Sequence, residues 1–294
     1  MPRAKVNGDV ELEWDSFGSE DAPPVLLVMG LGSPMIYWDE RLCEDLARRG
    51  RRVIRFDNRD CGLSTRFDHH GAPDLGAIVT ALASGSKPPS AYLLSDMAAD
   101  VAGLIEALGI GSAHVVGASL GGMIAQTLAI EHPGRVRTLT SIMSTTGRAG
   151  LPGPTPEATR VLLTPPPEDR AGAIERAVDT WRVISGPGFP FDEGMVRDRA
   201  GRAFDRGQTP AGTARQLAAI LASGGREEAL GRVAAPTLVI HGDLDPLVPI
   251  EGGRDTASCI PRAEMLVIPG MGHSLPVEVW PVVLDALERH TARA

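Results

Sequence analysis

The stretch Ala113-His114-Val115-Val116-Gly117-Ala118-Ser119-Leu120-Gly121-Gly122-Met123 constrains the fold of this chain more than any other. A β-branched run ends in Gly-x-Ser-x-Gly, and a helical run from Met123 to Ile130 follows, stopping at Glu131-His132-Pro133-Gly134, where a proline ends it. A strand that turns so sharply into a helix strains the serine backbone and brings the helix against the strand. Gly117 and Gly121 have no Cβ to clash there. Such a turn puts the Ser119 hydroxyl at its tip, at the start of the helix. The pentapeptide alone is weak evidence, because glycine-rich strand–helix turns without chemistry also occur in nucleotide-binding folds. Its flanks carry the reading.

Around this stretch the chain alternates. Val10 to Phe17, after Asn7-Gly8, reads as a hairpin of edge strands. Val25 to Met29 is a continuous apolar run, suited to a parallel strand covered on both faces, and ends in Gly30-Leu31-Gly32. A helix is expected from about Tyr37 to Arg49 and a strand over Arg52 to Asp57. Asp68 to Ser90, rich in Gly, Pro and Ser, reads as an irregular excursion. Ser95-Asp96 is expected to cap a helix running to Leu108. After the elbow comes a strand at Val136 to Met143. This order means a parallel sheet wrapped by helices. From Gly147 to about Gly225 strand-like runs are absent, and helices are expected at about Glu168 to Ile184, Asp192 to Arg206 and Pro210 to Ala222. Strands resume at Pro236 to Gly242 and Ala263 to Ile268, and a helix covers Pro276 to His290.

Composition excludes some classes. A net charge of −8 over 294 residues, with no long Lys/Arg run, argues against a nucleic-acid partner. No stretch approaches 18 consecutive apolar residues, so no membrane span is expected. The start Met1-Pro2-Arg3-Ala4-Lys5 lacks the apolar segment of a signal peptide. Cys43, Cys61 and Cys259 are odd in number and far apart, which suggests neither a disulfide framework nor a zinc site. A cytoplasmic protein is expected.

A serine hydroxyl needs a base to take its proton and a third group to orient that base. Histidine suits the first task, and a buried carboxylate the second. In an open parallel sheet such groups belong in loops beyond the C-terminal ends of strands. Ser119, Asp245 and His273 each follow an apolar strand-like run, in the chain order Ser, Asp, His. Asp243 competes with Asp245 for the acid role. His69, His70, His114, His132, His241 and His290 are weaker candidates by position; His241 falls inside a strand. Two backbone N–H groups are needed for the developing oxyanion. Leu120, after the serine, and Leu31, in the glycine-flanked loop after Val25 to Met29, are the expected donors.

These pieces resemble the α/β-hydrolase superfamily along nearly the whole chain. The likeness rests on Val28 to Gly32, Phe56 to Ser64, Gly117 to Gly122, His241 to Pro249 and Gly270 to His273. Within it the chain is similar to the aclacinomycin methylesterase group of carboxylesterases, through Gly8 to Leu12, Val28 to Gly30, Trp181 to Gly186 and Ile268 to His273. The resemblance implies an α/β-hydrolase fold: a mostly parallel eight-stranded sheet flanked by helices. Residues 1–146 and 231–294 would form the core and 147–230 a helical cap. The Gly-x-x-Asp-x-x-x-Pro spacing favours Asp245 over Asp243. Hydrolysis of a small-molecule ester through an acyl-enzyme on Ser119 is implied, with no metal or organic cofactor. Many relatives carry His-Gly where this chain has Met29-Gly30. That leaves the backbone donor unaffected.

Some readings stay open. Trp181, Phe189, Phe191 and Met195 line a substrate pocket or form the cap's own core. Asp57 and Arg59 are read as a loop-stabilising ion pair, with substrate recognition by Arg59 as the alternative. Acyl transfer, lactone or C–C bond hydrolysis and perhydrolysis share the same triad, and a non-catalytic small-molecule receptor is a further class. A phosphate-binding protein is disfavoured by the lack of Gly-x-x-x-x-Gly-Lys-[Ser/Thr]. Oligomeric state is not legible.

Overall fold

The computed structural model describes residues 2–164, 167 and 169–294. A hairpin of β1 (Arg3–Asn7) and β2 (Val10–Phe17) opens the chain. Then come β3 (Pro24–Val28), α1 (Glu40–Arg48), β4 (Arg52–Phe56), α2 (Leu75–Ala83), α3 (Leu94–Ala107), β5 (Ala113–Ala118), α4 (Leu120–Glu131) and β6 (Val136–Ile142). Among the described residues five helices intervene: α5 (Pro156–Leu163), α6 (Arg170–Ile184), α7 (Glu193–Asp205), α8 (Pro210–Ser223) and α9 (Glu227–Leu230). The alternation resumes with β7 (Thr237–Gly242), α10 (Ile250–Cys259), β8 (Glu264–Ile268) and α11 (Trp280–Thr291).

The eight strands form one sheet in the order β1-β2-β4-β3-β5-β6-β7-β8. β2 pairs antiparallel with both β1 and β4, and every pair from β4 to β8 is parallel. Every residue of β3, β4, β5 and β7 is buried, as expected of parallel strands covered on both faces. One face packs Leu26, Val28, Ile54 and Val115 against α3 and α4. The other packs Val25, Leu27, Val53, Val116 and Ile240 against α1 and α11. α4 lies deepest, with Leu120 to Ala129 all buried.

Local expectations change at several points: β2 is an inner strand, leaving only β1 of the hairpin at the edge, and α5 and α9 join the three helices expected between β6 and β7. The excursion from Asp68 to Ser90 contains α2, because Asp74 caps Leu75–Ala83 by accepting from the Ala77 N–H at 3.0 Å; the flanking Gly, Pro and Ser masked it. Met35–Tyr37 is a separate 3₁₀ turn, and α1 starts only after Asp39, whose carboxylate accepts from the Arg41 N–H at 3.0 Å. Asp96 is not the cap of α3 but lies in its first turn, accepting from the Leu93 N–H at 2.8 Å. The expected helix start at Glu168 and the preceding Pro165-Pro166 lie outside the described residues.

All three cysteines are free; Cys43 and Cys61 are buried and Cys259 is half-buried. Among the described residues no helix is long and apolar enough to cross a membrane.

Candidate active site

The elbow is built by local sterics. Ser119 has φ +56° and ψ −120°, a conformation costly for a residue with a Cβ. Its surroundings hold it there. Its N–H donates to the Ile142 carbonyl at 2.9 Å, and its own carbonyl accepts from the Gly122 N–H (2.9 Å) and the Ser144 hydroxyl (2.8 Å). A Cβ on Gly117 would lie 2.1 Å from the Gly121 carbonyl oxygen, and one on Gly121 2.0 Å from that of Val28. Only glycine lets α4 pass this close to β3 and β5. Ser119 occupies the N-cap position of α4 without capping it, because a left-handed φ turns its hydroxyl away from the helix.

That hydroxyl faces His273. Ser119 Oγ lies 3.0 Å from His273 Nε2, and His273 Nδ1 lies 2.7 Å from Asp245 Oδ2. Asp245 Oδ1 accepts from the N–H groups of Leu247 and Val248, both at 2.9 Å. Burial alone would raise the Asp245 pKa. Electrostatic attraction to His273, the nearby His241 ring and the hydrogen bonds from His273 Nδ1 and the Val248 N–H overcome it and hold the carboxyl well below the usual carboxylate range. An ionised Asp245 accepts only, so Nδ1 of His273 carries the proton and Nε2 is left to accept from Ser119. Asp243 is exposed and accepts from the Gly270 N–H at 2.7 Å. The structure therefore brings Asp245, not Asp243, to the histidine.

Leu120 is the first residue of α4, where N–H groups have no intrahelical acceptor. The loop after β3 closes the other side: a Cβ on Gly30 would lie 3.3 Å from Ser119 Cβ. Leu31 follows, its side chain packed against the cluster that includes Leu120 and Ala219.

The α5–α9 segment meets these loops directly. The His273 N–H donates to the Ile184 carbonyl at 2.7 Å. Asp57 and Arg59, read as one ion pair, do not pair with each other. Asp57 pairs with Arg206 (2.9 Å) and Arg59 with Asp100 (2.6 Å), while Asp60 pairs with Arg215 (2.6 Å). Trp181 stacks on Tyr37, with ring centroids 5.6 Å apart, and packs on the cluster of Ala158, Val161 and Ile184 that also carries Leu247. Phe189 packs against the cluster containing Met271 and Trp280. The Phe191 ring lies under the Arg182 guanidinium at 4.8 Å. Met195 lines a groove of about 300 Å³ with Ile36, Asp39, Arg41 and Arg199.

Sequence reasoning passed over His241. It is fully buried, its Nε2 lies 2.8 Å from the Val248 carbonyl oxygen and 3.6 Å from Asp245 Oδ2, and the α10 backbone at Gly253 closes over its Nδ1. The Val248 carbonyl accepts only, so Nε2 carries a proton directed at the loop that holds Asp245. The available signal was a histidine inside an otherwise apolar strand, four residues before Asp245. Asn58, Gln208 and Gln216, which hold the loop after β3, were also missed; for Gln216 the signal was a polar pair, Arg215-Gln216, inside an alanine-rich helix.

A mostly parallel sheet with this elbow and this hydrogen-bonded trio defines a class. Residues 23–278 match the model of the α/β-hydrolase fold family, and the chain belongs to that family. It is 30% identical over 314 aligned positions to rhodomycin D methylesterase DnrP of Streptomyces peucetius, covering 100% of this chain and 99% of that one. It is 27% identical to a putative carbamate hydrolase, RutD, of Variovorax paradoxus, covering 96% and 97% of the two chains. Among solved structures, an esterase from Rhodococcus sp. ECU1013 superposes with a TM-score of 0.78 at 21% identity, over 99% of this chain and 98% of that one.

Proposed function

We propose that Ser119, His273 and Asp245 are nucleophile, general base and orienting acid, with the backbone N–H groups of Leu31 and Leu120 as the oxyanion hole. The protein is a carboxylic ester hydrolase. The observation that carries the reading is His273 lying within hydrogen-bond reach of both Ser119 and Asp245. Ser119 Oγ attacks the ester carbonyl carbon as its proton passes to His273 Nε2. The carbonyl oxygen becomes an oxyanion facing the two N–H groups. The carbon–oxygen bond to the alcohol then breaks, and Nε2 returns the proton to the departing oxygen. Water repeats the sequence on the acyl-enzyme: His273 takes its proton, the acid leaves and Ser119 is restored.

Residues 147–230 are the cap over this site, a division supported by the Ile184–His273 and Arg206–Asp57 contacts. Trp181 and Phe189 border the substrate and Met195 stands at the outer mouth. We assign the substrate as a small molecule, an ester of a small alcohol, on the likeness to a methylesterase along the whole chain. Three free thiols fit a cytoplasmic setting. The test is covalent labelling with a fluorophosphonate and peptide mass spectrometry. Modification of Ser119 alone, abolished in His273→Ala, is expected; labelling elsewhere with Ser119 untouched would overturn the assignment.

A further inference from the structure

The loop that carries Leu31 is a tight turn. The Ser33 N–H donates to the Gly30 carbonyl at 3.3 Å, and Gly32, third in the turn, has φ +61°, the left-handed value that a type II turn requires at that position. Within the Gly30–Leu31 peptide the carbonyl is engaged by Ser33, so the Leu31 N–H points the opposite way. The peptides on both sides are held by side chains. Asn58 Nδ2 donates to the Met29 carbonyl at 2.9 Å. On the far side, the Gly32 N–H donates to Gln216 Oε1 at 2.8 Å, and Gln208 Nε2 donates to the Gly32 carbonyl at 2.6 Å.

Gln216 is fully buried in the middle of α8. Its Nε2 donates to the Arg59 carbonyl at 2.8 Å. One partner is a donor and the other an acceptor, so the orientation of the amide is fixed by chemistry. α8 also presses on the turn: a Cβ on Gly32 would lie 2.5 Å from Thr213 Oγ1.

We propose that Gln216, supported by Gln208, is a positioning residue for ester hydrolysis: from the cap side it sets the peptide after Leu31 and thereby aims the Leu31 N–H at the oxyanion. This rests on the ester-hydrolase reading. It follows that the cap is part of the oxyanion machinery, and that a cap displaced from the core would leave that N–H unaimed. Donors aimed at developing charge act on the transition state more than on bound substrate, so the signature is a loss in kcat with little change in KM.

The experiment compares wild type, Gln216→Met and Gln208→Met with a short-chain p-nitrophenyl ester, counting active sites by phosphonate titration so that misfolded protein drops out. Methionine keeps the length of the side chain and removes its hydrogen bonds. Gln216→Met is expected to lower kcat per titrated site about tenfold, less than the hundredfold or more for losing a donor outright, with KM moving less than about twofold. Affinity for an alkyl boronic acid, whose tetrahedral adduct places an oxygen at the oxyanion position, should fall in the same proportion as kcat. Gln208→Met should lower kcat about threefold. An unchanged kcat per site in Gln216→Met, or a lower Tm with no kinetic change, would overturn the proposal. If Gln216→Met does not fold, an unchanged kcat in Gln208→Met would overturn it alone. A wild type that neither turns over nor accepts the phosphonate would overturn the hydrolase reading beneath it.

Discussion

The elbow at Ser119 and the helix α8 both serve the loop that carries Leu31, and they do so by different means. The elbow works through the backbone: eleven contiguous residues, two glycines without which helix and strand collide, and one strained serine. α8 works through side chains that arrive from far along the chain; Gln216 is 184 residues from the glycine it holds. Its neighbour Arg215 pairs with Asp60, both fully buried. The first device is specified by local sterics and has little freedom. The second consists of buried polar pairs, whose desolvation is repaid only if every partner is in place. The difference separates geometry that a short motif can encode from geometry that must be assembled across the fold.

Substitutions at five positions probe that contrast, beginning where the greatest loss is expected. Asp245→Asn should lower turnover by about 10³- to 10⁴-fold, because the orienting acceptor for His273 is lost, while leaving Tm little changed. Asp243→Asn, which removes an exposed charge but keeps an oxygen that can accept from the Gly270 N–H, should cost less than about fivefold on the same comparison. Steady-state assays of the two decide which aspartate is the acid, and the opposite ranking would reject Asp245. Arg215→Met should act on stability instead. It leaves Asp60 buried without its cation, at a cost of about 3–5 kcal/mol, read by chemical denaturation. A loss of turnover in the folded fraction larger than the loss of stability would blur the two regions.

His241 tests whether Asp245 is held as firmly as Ser119. In His241→Gln the amide nitrogen falls near the position of Nε2 and in His241→Asn near that of Nδ1. Glutamine should therefore retain most of kcat and asparagine lose about tenfold, by mispositioning of Asp245. Equal losses would reduce His241 to packing. The last effect is on pH. Burial, then the nearby charges of Arg51, Arg137 and His290, lowers the His114 pKa to about 4 from 6.5. Between those values the unfolded chain holds the proton and the native one does not, so stability falls as pH drops from 6.5 to 4. In His114→Gln the fall in Tm over that range should shrink by about three to five degrees. An unaltered slope would place the acid sensitivity elsewhere.

The same contrast explains what was legible in the sequence. The alternation of apolar runs foreshadowed the parallel sheet because strands buried on both faces must be continuously apolar, as Pro24–Val28 and Ala113–Ala118 are. The serine, aspartate and histidine could be read because each closes such a run. α2 was hidden by its glycine, proline and serine flanks, although Asp74 supplied a cap. The partners of Asp57 and Arg59 were hidden for a deeper reason. Their charges marked them, but Arg206 and Asp100 lie 149 and 41 residues away, and no local spacing reports which distant cation or carboxylate meets them. Gln216 was hidden by distance: the polar pair Arg215-Gln216 stands out in an alanine-rich helix, but nothing local names its partners.

The proposed chemistry at this site passes through an acyl-enzyme on Ser119. Rapid mixing of wild type and Ser119→Ala with a short-chain p-nitrophenyl ester tests it most directly. A burst of p-nitrophenol close to one equivalent per active site, followed by steady turnover, is expected in wild type, and neither in Ser119→Ala, which should fold normally. Undiminished turnover in Ser119→Ala would contradict it and place the nucleophile elsewhere.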